Sequence, residues 1–230
     1  MKTILIVLIF STSLFPTDLK FSEVAWKKIE PLYQKISKHP FNQGLLDGSL
    51  SKERFAFYSY QDSLYLSEYA KVLGVLATRL EDSKSSKRVL QFALDCLKEE
   101  KEVKEKHALV KKTGMNPANF AYTQFLLATS AYKSTEELAA ALLPCYWIYL
   151  RLAQDFKSQM KKENPYFHWV EMYASEKYQS DVKDLIEIVD SLALNASSGK
   201  KEKMTESFVR ATQLEWYFWE ESYLLTGWKL

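Results

Sequence analysis

The chain has 230 residues, with only 6 Gly and 6 Pro, well under the roughly 12% that the two average together, so sandwiches, barrels and other turn-rich folds are disfavoured. A hydrophobic fraction of 47% with 26% charged residues excludes disorder and a polytopic membrane protein. The 31 basic and 29 acidic residues are mixed along the chain, which leaves no basic stripe for nucleic acid.

Taken in order, the sequence opens on Met1-Lys2, an apolar run from Thr3 to Phe10, and small residues near Ser11–Ser13 before Pro16. That order suits a signal peptide over residues 1–16, although no clean A-x-A site follows; the alternative is an apolar segment packed on the core. The run is too short for a stable bilayer span, and no Cys follows it, so no membrane anchor is indicated. Export follows if the segment is cleaved, and a cytoplasmic location if it is not. From about residue 20 to 230 the pattern is helical. The spacing predicts a helix from Phe21 to Ile36, stopped at His39-Pro40. Phe41 to Gly48, with two glycines, reads as a connection. Ser51 is placed to cap a long helix from Lys52 to about Leu80, and Ser83 to Lys112 forms another, ended by Gly114 and Asn116-Pro117. Asn119 is placed to cap a helix through Tyr132, and Ser134-Thr-Glu-Glu137 is a capping box for a helix to about Lys162, broken by Asn164-Pro165. Shorter helices are predicted over about Phe167–Ser175 and Asp181–Asn195, with a last one after Gly199 to Leu225. No repeat or linker divides this stretch, so the expectation is a single all-α domain.

Function is read from polar residues on apolar faces. The helix from Lys52 carries the stripe Phe55, Tyr58, Asp62, Tyr65, Tyr69, Val72 and Leu76, with an aspartate at a core position. The last helix carries Met204, Phe208, Ala211, Glu215, Phe218 and Ser222, flanked by Trp219, with a glutamate at a core position. The helix from Thr135 carries Leu138, Leu142, Cys145, Tyr149, Leu152 and Phe156, and Pro144 beside the cysteine removes a backbone bond to Ala140, so a kink is expected. Taken singly, each of these residues is ordinarily a rim carboxylate, a satisfied core group or an inert thiol. Three of them on three helices, amid 14 tyrosines, make a set able to run covalent addition and proton transfer.

The remaining polar residues offer less. His39, His107 and His168 lie far apart without zinc spacing. Glu99, Glu100 and Glu102 with His107 evoke di-iron ligands, but the Glu-x-x-His pairs such sites need are absent, and the run reads as a solvated face. Cys96, among charged neighbours, reads as structural. No nucleotide-binding glycine motif and no G-x-S-x-G occurs.

Four motifs together resemble the TenA family, also called thiaminase II. The first is His39-Pro-Phe41, Gly44, Asp47-Gly48, Leu50 and Phe55 leading to Tyr60-Gln-Asp62 with Tyr65-Leu66. Then come Leu143-Pro-Cys-Tyr-Trp147 with Tyr149, Asn164-Pro-Tyr166 with Trp169 and Tyr173-Ala-Ser175, and Glu215 with Phe218-Trp219, Tyr223 and Trp228. The resemblance spans about Phe21 to Trp228. It implies a haem-oxygenase-like helical bundle, assembled as a homotetramer, that hydrolyses 4-amino-5-aminomethyl-2-methylpyrimidine to the hydroxymethyl pyrimidine with loss of ammonia and cleaves thiamine similarly. It needs no cofactor and no metal. By the same resemblance Cys145 is the nucleophile, Glu215 the proton donor to the ring, and Tyr65 the hydroxyl that activates the thiol. Asp62 holds the pyrimidine, and Tyr149, Tyr173 and Tyr122 are substrate contacts. Glu215 then has to start protonated, which an apolar setting favours, and Asp62 has to stay ionised or share a proton. Ser63 departs from the pattern, where a Tyr is common. Two rivals stay open: a non-catalytic thiamine- or pyrimidine-binding helical protein, and a cofactor enzyme on the haem-oxygenase-like fold, which would need a ligating histidine.

Overall fold

The computed structural model describes residues 19–106 and 114–229, with the backbone alone for 102–106. The signal-peptide reading of residues 1–16, His107 and the C-terminal end of the Ser83 helix lie outside the described residues. Within them the chain forms α1 (Phe21–Ser37), α2 (Pro40–Asp47), α3 (Lys52–Arg79), α4 (Ser83–Lys106), α5 (Pro117–Tyr132), α6 (Thr135–Lys157), α7 (Phe167–Tyr173), α8 (Glu176–Leu194) and α9 (Ser198–Leu224). No strand occurs among the described residues. No described helix is long and apolar enough to cross a membrane.

The helix starts follow local chemistry, and several differ from expectation for that reason. Phe41 to Gly48 is a helix rather than a connection. His39 accepts a hydrogen bond from the Phe41 backbone N–H, Pro40 supplies a preset φ in the first turn, and Gly48 at φ 81° ends it. Asn116, not Asn119, caps α5 by accepting from the Asn119 N–H at 2.9 Å, with Pro117 next. Ser175 accepts from the Tyr178 N–H, so α8 starts five residues before Asp181. Ser197 likewise starts α9 ahead of Gly199. The Ser134–Glu137 capping box forms with both reciprocal bonds, and α6 runs through Pro144 to Lys157, short of Lys162.

α3 packs along α4 and α5, α6 packs along α9, α8 and α7, and α9 also touches α1, α5 and α3. The predicted stripes of α3, α6 and α9 all face this interior: Tyr58, Tyr69, Leu76, Leu142, Leu152, Phe208 and Trp219 are almost fully buried. Two polar assemblies set the register around the future site. Gln61 accepts from the Asn119 side-chain amide and the Asn116 N–H, each at 3.0 Å, and donates to the Gly114 carbonyl, which locks α5 onto α3 beside Asp62. Arg88 reaches Asp181 at 2.7 Å and Asp184 at 2.6 Å, holding α4 against α8. The Asn164 motif is a clamp: its amide donates to the Leu46 carbonyl at 2.9 Å, pinning α2 to the turn before α7.

Candidate active site

Asp62 and Tyr65 on α3, Cys145 and Tyr149 on α6, Tyr173 on α7 and Glu215 on α9 are separated by up to 153 residues and meet in the interior because each occupies its helix's inward stripe. A cavity of about 30 Å³ opens among them. Asp62, Cys145, Tyr149 and Tyr173 form its wall, together with Glu99 and Cys96. Cys145 is half-exposed although it lies deep in the bundle, because the surface it shows is that of this cavity.

Tyr65, Tyr122 and Glu215 sit behind this wall as a linked group. The Tyr122 hydroxyl donates to Glu215 Oε1 at 3.0 Å, and the Tyr65 and Tyr122 rings lie 4.9 Å apart. The buried Tyr65 hydroxyl has no complete hydrogen bond, yet it lies close enough to the sulfur to favour the Cys145 thiolate. Tyr69 stacks on Tyr65 at 5.3 Å and donates to the Leu142 carbonyl at 2.7 Å, anchoring that layer to α6 just before the cysteine. On the other side Tyr149 packs against Tyr173 at 5.0 Å and Trp219 at 5.1 Å, and accepts from the Tyr58 hydroxyl at 3.3 Å.

Burial dominates the electrostatics. It pushes the Glu215 carboxyl up to about 8, against the opposing Tyr122 hydrogen bond, so Glu215 carries a proton at neutral pH. Burial also raises the Cys145 thiol, reinforced by the charge of Glu215 and opposed by Tyr65. Asp62 is raised as well, by burial and then by the charges of Glu99 and Glu215. The two carboxyls are therefore shifted in the same direction.

Glu99 corrects the reading of this part of α4 as a solvated face, while Cys96 is a buried thiol that also borders the cavity. Val89, Phe92, Ala93 and Cys96 form a buried stripe, and Glu99 continues it one turn on, within reach of the Tyr173 hydroxyl at 3.4 Å. That spacing was the signal available; the charged residues around it masked it. The Cys96 thiol lies 3.8 Å from the Tyr146 hydroxyl and is pushed up to about 12 by burial. Larger hollows of about 480 and 550 Å³ are open surface grooves without a thiol. Of the described histidines, His39 is taken up by Phe41 and by Glu220 at 2.8 Å, and His168 lies on the surface, so neither faces the cavity. No group of three metal-ligating side chains occurs among the described residues.

A helical bundle enclosing two thiols, three carboxyls and a tyrosine wall defines the class, a small-molecule site in a bundle interior. The chain belongs to the TENA/THI-4/PQQC family, whose model matches residues 26–224. It is similar to the aminopyrimidine aminohydrolase of Helicobacter pylori, 31% identical over 216 residues that cover 89% of this chain and 99% of the relative. The aminopyrimidine aminohydrolase of Bacillus subtilis (strain 168) is 29% identical over 218 residues, covering 91% and 92%. Among solved structures, the TenA homologue from P. horikoshii OT3 superposes with a TM-score of 0.81 at 28% identity, over 90% of this chain and 99% of that one. A domain with a heme oxygenase-like fold from Shewanella denitrificans matches at a TM-score of 0.69 and 13% identity over 91% and 94%, a likeness of fold alone.

Proposed function

We propose that this protein is an aminopyrimidine aminohydrolase of the cysteine type, which converts 4-amino-5-aminomethyl-2-methylpyrimidine and water to the hydroxymethyl pyrimidine and ammonia and cleaves thiamine by the same chemistry. One observation carries the reading: Cys145 opens onto the same cavity as Asp62, while Glu215 behind it is held protonated at neutral pH. In this scheme the ring lies against the Tyr149 and Tyr173 side chains with its amino edge toward Asp62. Glu215 protonates a ring nitrogen, which makes the ring a better electrophile, and the Cys145 thiolate adds to it with help from Tyr65. The bond to the exocyclic nitrogen breaks, the nitrogen leaving with the electron pair. Water then adds at the vacated carbon, the ring proton is returned, and the thiolate departs. Tyr122 orients Glu215 through its hydrogen bond.

Ammonia release from the aminomethyl pyrimidine by purified protein, with nothing added, is the expected result, and Cys145→Ala abolishes it. Full activity in that variant, or wild-type protein that binds the substrate and releases no ammonia, rejects the scheme. Assembly as a homo-oligomer belongs to the same reading and is supported by the exposed leucines Leu90, Leu94 and Leu97 along α4, at 47%, 60% and 45% exposure. A tetramer mass by light scattering is expected. Export rests on the Met1-Lys2 and Thr3–Phe10 pattern, and N-terminal sequencing of protein from its native host tests it.

A further inference from the structure

Among the described residues, every titratable side chain in the cavity wall is acidic, a thiol or a tyrosine. Asp62 and Glu99 supply carboxyls, and Tyr69, Tyr146, Tyr149, Tyr173 and Tyr178 supply rings, with no lysine, arginine or histidine among them. The rings are arranged as a partial cage: Tyr146 and Tyr178 stack in parallel at 5.6 Å and 7°, and Tyr178 meets Tyr173 edge-on at 5.0 Å and 83°. Aromatic faces beside carboxylates attract cations and do little for neutral groups. Glu99 stands at this part of the wall, half-buried, accepting from Tyr173 at 3.4 Å. Its helix is held in place by Arg88 to Asp181 and Asp184 and by Lys177 to Asp95 at 2.8 Å, so its position is a property of the α4–α8 pairing.

We propose that Glu99 is a specificity-determining residue, which selects pyrimidines bearing a positive charge on the exocyclic methylene and disfavours the neutral alcohol. The proposal rests on the aminopyrimidine reading and adds to it a residue and a basis for discrimination. Both substrates of that reading are cationic at this position, one as an alkylammonium at neutral pH and the other as a thiazolium, whereas the hydroxymethyl product is uncharged. The departing nitrogen takes the bonding pair and leaves neutral, so the attraction of the pyrimidine to Glu99 vanishes as the bond breaks and the uncharged hydroxymethyl product is not retained by it. Glu99 donates no proton in this step. Beside burial, the same charge opposes ionisation of Asp62, a repulsion that a bound cation relieves.

Steady-state kinetics of ammonia release and titration calorimetry with the aminomethyl and hydroxymethyl pyrimidines, on wild type and Glu99→Gln, test the proposal. The expected result is that Glu99→Gln raises KM and Kd for the aminomethyl compound about ten-fold, the size of a partly screened charge contact, while Kd for the hydroxymethyl compound changes less than about two-fold. Glu99→Asp restores part of the preference, and Tyr173→Phe, which keeps the carboxylate, leaves the ratio of the two affinities in place. An equal loss for both ligands in Glu99→Gln, or no change for the cationic one, overturns the proposal. Wild-type protein that releases no ammonia rejects the aminohydrolase reading instead, and the calorimetric ratio then still decides the role of Glu99.

Discussion

Cys145 starts at a disadvantage as a nucleophile, because burial and the neighbouring Glu215 both favour the protonated thiol and Tyr65 alone among its named neighbours opposes them. A site of this kind reacts only when a ligand changes the local charge, which keeps the thiol inert until substrate arrives. Replacing sulfur by oxygen removes the nucleophile without altering the packing much, so Cys145→Ser is expected to lower kcat by about a thousand-fold or more while the substrate still binds, as read by ammonia release and calorimetry. Glu215 sets the alkaline limit. Its proton is present below about pH 8 and lost above, so kcat/KM falls as pH rises through that value. In Glu215→Gln, which holds no transferable proton, activity is expected to drop by roughly 10²–10⁴ and that limb to disappear. Both residues were legible as polar intrusions on apolar helical stripes, and the proton on Glu215 at neutral pH was expected from its aromatic flank; Asp62 is raised first by burial and then by Glu99, which approaches from a different helix.

At the scale of elements, α2 and its surroundings explain why the first motif is so constrained. A Cβ on Gly44 would meet the Leu50 backbone nitrogen at 3.2 Å, and Gly48 holds φ 81° beside Pro165 and Asn164. Gly48→Ala is therefore expected to destabilise by about 1–2 kcal/mol, the usual penalty of a left-handed L-residue, seen as a lower Tm with catalysis retained in the folded fraction. Gln61→Ala strands the Asn119 amide and the Asn116 N–H in the interior and is expected to destabilise by about 1–3 kcal/mol in denaturant titration. Most helix limits could be read from capping residues, since a cap is a contact within four positions. One exception is the start of α5. Asn119 was expected to cap α5, and the Asn116 side chain followed by Pro117 starts that helix three residues earlier.

For the whole molecule, buried carboxyls make stability depend on pH in a stated direction. The folded-state value of Glu215 lies above its unfolded one, so its contribution is fully present below about pH 4.5 and is lost as pH rises through about 8. Asp62 is shifted in the same direction. Wild-type Tm is thus expected to decline between about pH 5 and 9, and Glu215→Gln to flatten the decline and melt higher than wild type at pH 9, while the two converge near pH 5. A wild-type profile flat across that range would contradict a buried, protonated Glu215.

Composition, periodicity and capping by themselves determined an all-α chain with inward stripes on three helices and the identities of Asp62, Cys145 and Glu215 upon them. These depend on spacings of three and four residues along one helix, which the sequence states directly. Only the tertiary structure decided which of those faces meet, that Tyr65, Tyr122 and Glu215 form a layer behind the cavity wall, and that Glu99 and Cys96 belong to the cavity. The field at a buried group comes from helices far away in the chain, and a stripe that ends in a run of charge looks solvated until its neighbour is in place.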